Sequence, residues 1–211
     1  MMPQAAKGHV SRSVEGSARE RIMKVAKELF AARGYEHTST SAIARQAGTS
    51  ESQLMKHFGS KAGVLEAIFS EGWAKITEEA GRAASEASGN ADKLLRISQA
   101  FVAVLERDAQ LKLLMLLEAR RSRGESQRVA LTEGFLGFVG LLDGILSEMR
   151  TRNELREGLQ PDTVRSALMG MLEGMLRDRL LAERLGYPAQ FGEEQISQAM
   201  RMASASFLVT N

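Results

Sequence analysis

The chain has 211 residues, of which 44% are hydrophobic and 26% charged, which suits one or two small globular domains. It contains no cysteine, so disulfides, thiolate nucleophiles and Cys-ligated zinc are removed, and His9, His37 and His57 are too scattered for paired metal ligation. No apolar run approaches the roughly 18 residues of a membrane span, and the N-terminus lacks an apolar signal core, so the expected setting is the cytoplasm with no membrane partner.

The formal net charge is only +2, but it is unevenly spread. Residues 1–75 carry 11 Lys/Arg against 7 Asp/Glu, whereas residues 76–211 carry 17 against 19. A basic front ahead of a slightly acidic remainder points to nucleic-acid contact at the N-terminal end. Proline occurs only at Pro3, Pro161 and Pro188, good helix formers dominate, and alternating β-branched runs are missing. The expected fold class is all-α.

In chain order, residues 1–16 show no apolar periodicity and read as a disordered arm. Ser17 and Glu20 form a capping-box pattern that opens a first helix, with a stripe of Ile22, Val25, Ala26, Leu29 and Phe30. Gly34 ends it. Thr38 or Ser39 caps a short second helix carrying Ile43, Ala44 and Ala47. Gly48 then breaks the chain, and Ser50 caps a third helix carrying Leu54 and Phe58. Ser60 caps a long helix with Val64, Leu65, Ile68, Phe69 and Ile76 on one side.

Two short helices joined by a glycine-containing turn form a helix-turn-helix, whose second helix seats in the major groove of DNA. Glu51, Ser52, Gln53 and Lys56 make its polar face, and a glutamine such as Gln53 pairs bidentately with adenine. Thr38, Ser39, Lys56, His57 and Lys61 supply hydroxyls and cations at helix termini, where phosphates are gripped. On spacing alone, a plain helical hairpin with solvated polar residues is the alternative.

Residues 91–211 read as longer amphipathic helices. Leu94, Ile97, Phe101, Val104 and Leu105 mark one. Leu111, Leu114, Met115 and Glu118 mark the next, ahead of a polar loop at 122–126. Phe135, Phe138, Val139, Leu142, Leu146 and Met149 mark a third. Pro161 opens a fourth that runs to about Arg184, and a last begins near Glu193. About nine helices result.

From Arg19 to Phe69 the sequence resembles the N-terminal domain of the tetracycline-repressor (TetR) family of bacterial regulators. Phe30, Gly34-Tyr35, Thr38-Ser39, Ile43-Ala44, Ala47-Gly48, Ser50, Leu54, His57-Phe58 and Ser60-Lys61 carry the likeness in order and spacing. The resemblance implies a DNA-binding head at 17–63, an effector-binding and dimerisation body at 64–211, and a ligand-responsive repressor released from a palindromic operator by a small molecule. It assigns DNA contact to Thr38, Ser39, Ser50, Ser52, Gln53, Lys56, His57 and Lys61, and Thr49 adds a further hydroxyl. One departure stands out: the family usually has tyrosine after the leucine of the recognition helix, and here that position is Met55.

For the body, the resemblance implies an inducer pocket and a homodimer seam. Phe101, Met115, Glu118, Phe138, Leu142, Met171 and Met175 are the candidate pocket lining, which favours a mostly apolar effector. Glu118 pairs either with an arginine, Arg121 or Arg177, or with the effector. Ser166, Gly170 and Gly174, with Ile196, Met200, Ala203 and Phe207, are the candidate dimer seam, the alternative being ordinary core. No cofactor or metal is expected. A helical enzyme or an adaptor without DNA binding is the competing reading, and the sequence shows no Cys, His cluster, phosphate loop or paired-carboxylate motif to support an enzyme.

Overall fold

Ser17 opens the first helix as its sequence demands: its hydroxyl accepts from Glu20 N, while the Glu20 carboxylate accepts from Ser17 N. The computed structural model describes residues 17–118 and 132–209. The expected arm at 1–16, Arg121 and the polar loop at 122–126 lie outside the described residues, and so does the side chain of Glu118.

Among the described residues the chain forms nine α-helices. A head is built from α1 (Ala18–Arg33), α2 (Thr40–Gln46) and α3 (Glu51–Phe58). The body follows as α4 (Lys61–Ser85), α5 (Asn90–Arg107), α6 (Ala109–Leu113), a π-helical turn (Leu114–Glu118), α7 (Glu133–Thr151), α8 (Pro161–Leu185) and α9 (Glu193–Ser206). The one β pairing described is an isolated bridge between Leu155 and Leu208.

Each amphipathic stripe finds its complement. Ile22, Ala26, Leu29 and Phe30 of α1 close over Ile43, Leu54, Val64 and Leu65, forming the core of the head. Core continues without a gap along α4, whose 25 residues reach from head into body, about 37 Å at 1.5 Å per residue. In the body α4 packs against α5 and α7, and α9 lies on α5. Ile196 and Met200 are buried in that contact. This removes Ile196 and Met200 from the expected dimer seam, because both side chains are buried inside their own protomer.

The break between the stripe that ends at Leu105 and the one that begins at Leu111, which the periodicity separates, falls at Asp108. Asp108 caps α6 by accepting from Leu111 N at 2.9 Å. Lys112, one turn on, is buried, and its ammonium is satisfied by Glu106 at 2.9 Å with Glu183 of α8 at 3.8 Å. A buried ammonium needs such partners. Short as it is, α6 is held from both sides.

Candidate nucleic-acid interface and interior cavity

The turn between α2 and α3 is made by Ala47, Gly48, Thr49 and Ser50. Gly48 adopts φ +64°, a conformation costly for other residues, and Thr49 N closes on Ala44 O at 3.0 Å. From α1, Arg21 Nε donates to Ala47 O at 3.2 Å, and the Arg19 guanidinium lies over the Phe58 ring at 5.5 Å. These contacts brace α3 from behind. Leu54 is fully buried and Phe58 half-buried, so Glu51, Ser52, Gln53, Met55, Lys56 and His57 are left exposed.

Most of the residues expected at DNA gather on this side of the head. Ser39 and Ser50 cap α2 and α3, their hydroxyls accepting from Ala42 N at 3.2 Å and Gln53 N at 3.1 Å. A capping hydroxyl spends only an acceptor lone pair, which leaves the Ser50 O–H for an outside acceptor such as phosphate, while the Ser39 hydroxyl also meets Ser41 Oγ at 3.0 Å. Ser52, Gln53, Lys56 and His57 are exposed on α3, while Thr49 is half-buried in the turn. Lys61 is held down: its ammonium donates to Tyr35 O at 2.9 Å and sits 4.3 Å from the Tyr35 ring centroid. One ammonium has three donors, so this brace still leaves hydrogens for a phosphate.

Thr38 requires a correction. Only 2% of it is exposed, and its hydroxyl donates to Gly34 O at 2.9 Å. It braces the end of α1 from inside, and the exposed partner of the Thr38-Ser39 pair is Ser39. Sequence reasoning also missed Arg45, a cation exposed in the last turn of α2 on the helix that crosses the DNA backbone in this motif. A charged residue on a short helix was its only signal.

Inside the body an apolar cavity of about 30 Å³ lies between α5, α7, α8 and α9. Its walls include the expected Phe101, Phe138 and Leu142, joined by Ile97, Leu168, Leu172 and Met200. Met115, Met171 and Met175 do not line it: Met115 is core, and the other two are half-buried on the flank of α8. All but two of the lining residues are buried; the exceptions, Met169 and Glu173 on α8, mark where the cavity opens. Phe101 and Phe138 also touch Trp73 of α4, with ring centroids at 5.7 and 5.3 Å. The cavity wall therefore rests directly on the helix that carries the head.

On α8, Ser166 and Gly170 are exposed and Gly174 is half-buried, a line of small residues open to the outside. Ala203 and Phe207 of α9 are half-buried against the protomer's own core. No helix of the described residues is long and apolar enough to cross a membrane.

A helix-turn-helix head on an all-helical body defines a DNA-binding regulator. Residues 22–68 match the model of bacterial regulatory proteins of the tetR family, and residues 69–186 match the C-terminal region of YsiA-like proteins. The chain belongs to the tetR family. It is 29% identical over 152 residues, 72% of this chain and 78% of the other, to the fatty acid metabolism regulator protein of Bacillus subtilis. A crystal structure of the Bacillus subtilis transcriptional regulator FadR in complex with stearoyl-CoA superposes with a TM-score of 0.78 at 24% identity, covering 90% of this chain and 99% of that one. AibR in complex with isovaleryl coenzyme A and operator DNA superposes at 0.63 with 19% identity, covering 88% and 96%.

Proposed function

We propose that the protein is a cytoplasmic, dimeric transcription repressor released from its operator by an effector with an apolar acyl chain, an acyl thioester of coenzyme A. It acts by binding and not by catalysis. Residues 17–63 form the DNA-binding unit, and residues 64–211 the effector and dimer unit. Ser39, Arg45, Ser50 and Lys61 grip phosphates, Ser52 and Gln53 face bases, and Lys56 and His57 complete the basic rim. The open line of Ser166, Gly170 and Gly174 on α8 suits close approach of a second copy about a two-fold axis.

The observation that carries this reading is the path from cavity to head. Phe101 and Phe138 wall the cavity, both pack on Trp73, and Trp73 stands on the helix whose first residue, Lys61, is fastened to Tyr35 in the head. At about 30 Å³ the cavity holds little more than a water molecule, so an acyl chain fits only if the helices part. A ligand that binds only the parted state shifts the population toward it. Successive major grooves present themselves about 34–36 Å apart, and a moved α4 takes the two heads off that spacing. The acyl-CoA complexes of the two similar proteins support the effector class.

Trp73 is the sole tryptophan, so the test is optical. With an operator selected from genomic DNA, stearoyl-CoA, isovaleryl-CoA and CoA alone are titrated while Trp73 emission and operator release are followed together. Acyl-CoA should change both over one concentration range, and CoA alone should change neither. Operator binding that no acyl-CoA disturbs would sink the effector class and leave the repressor standing.

A further inference from the structure

We propose that Met55 reads the 5-methyl group of a thymine in each operator half-site. The inference rests on the DNA-binding reading above and deepens it. Six large apolar side chains are substantially exposed among the described residues, and Met55, at 44%, is the only one in the head. The packing of α3 does not need it, since Leu54 is fully buried and Phe58 covers the adjoining core. Its neighbours on the outer side of the helix, Ser52 and Lys56, are polar and exposed. One turn earlier, Glu51 is engaged by the Thr40 hydroxyl of α2, which draws that carboxylate toward α2. Met55 therefore stands free on the helix that enters the groove.

The chemistry of the side chain narrows its partner. A thioether has no hydrogen to donate, so it cannot hold a phosphate as a tyrosine hydroxyl would. Its long, unbranched and polarisable arm adapts to apolar surface. The major groove offers one apolar feature on its base edges, the C5-methyl of thymine. Burial of that methyl against Met55 gives the recognition helix sequence information that hydrogen bonds from Ser52 and Gln53 do not supply.

Deoxyuridine differs from thymidine by that methyl alone, so the test leaves the protein untouched. The protein first selects its preferred duplex from a random pool, and each thymine of the half-site is then replaced singly by deoxyuridine. Wild type should lose about fourfold in affinity at one thymine per half-site, the equivalent of one buried methyl group, and little elsewhere. Met55→Ala should bind the unmodified duplex more weakly and be indifferent to deoxyuridine at that position. Met55→Leu should restore the sensitivity. Because Met55 is exposed, all three proteins should melt alike. Wild-type indifference at every position overturns the proposal, as does an alanine variant that keeps the penalty or weakens on all duplexes equally. A pool in which nothing is enriched overturns the DNA-binding reading itself, whereas an enriched site without methyl sensitivity overturns Met55 alone.

Discussion

Lys27 Nζ lies 2.5 Å from Asp108 Oδ2, joining α1 of the head to the residue that caps α6 in the body. Burial pushes the Asp108 carboxyl up, but the Lys27 ammonium and the Leu111 N–H together outweigh it and hold the group below its ordinary value. With a depressed folded-state pKa, the stabilisation is complete above the unfolded value of about 3.9 and is lost as pH falls through the folded value. The head–body pair is therefore intact at neutral pH and breaks only in acid. Asp108→Asn keeps a cap for Leu111 N and removes the charge. At pH 7 it should cost about 1 kcal/mol or less, since both side chains keep about a quarter of their exposure. In urea titrations the difference from wild type should shrink by pH 3; a constant difference would mean that packing and not charge is lost.

Gly134 lets α7 lie close on α4. A Cβ there would stand 2.5 Å from Ser70 O and 2.9 Å from Trp73 Cβ, so Gly134→Ala should push the helices apart and cost about 1–3 kcal/mol. Gly140, on the outer face of the same helix, has open space at that point. Gly140→Ala should instead stabilise by about 0.5–1 kcal/mol through the lower entropy of the unfolded chain. Thermal unfolding of the two variants should move in opposite directions.

Substitutions on α8 and α9 should separate assembly from folding. Gly174→Arg places a charge on the open line of α8 and should yield folded monomers in sedimentation. Met200→Ala, at a side chain 3% exposed inside the protomer, should cost about 2–5 kcal/mol and lower the melting temperature before it alters assembly. An unchanged dimer for Gly174→Arg would place the seam elsewhere.

Three substitutions in the head should give three different signatures. Lys56→Ala should weaken all duplexes about equally and flatten the salt dependence by nearly one unit per protomer. Gln53→Ala should cost about 1–3 kcal/mol on the preferred site and little on random DNA. Thr38→Val, which removes the buried hydroxyl bonded to Gly34 O, should cost about 1–2 kcal/mol of stability and leave the affinity of the folded protein unchanged. If Lys56 and Gln53 variants lose affinity in the same pattern, the division between positioning and reading side chains is wrong.

Local chemistry made much of this protein legible from its sequence alone. The capping box at Ser17 and Glu20, the caps at Ser50 and Ser60, and the 3.6-residue stripe of α1 each act within a turn or two of helix, so they are visible in one dimension. The helix-turn-helix is local too, because its turn and both its helices lie within about 20 residues. Apolar periodicity says that a helix face will be buried but never names the partner. Only the tertiary structure decided that Ile196 and Met200 pack on α5 of their own chain, that the cavity takes Leu168, Met169 and Leu172 in place of Met171 and Met175, and that Thr38 turns inward while Ser39 stays out. Those choices depend on contacts between residues far apart in the chain. Which of two adjacent apolar positions faces a cavity turns on a helix rotation of about 100°, and the packing of neighbouring helices sets that rotation.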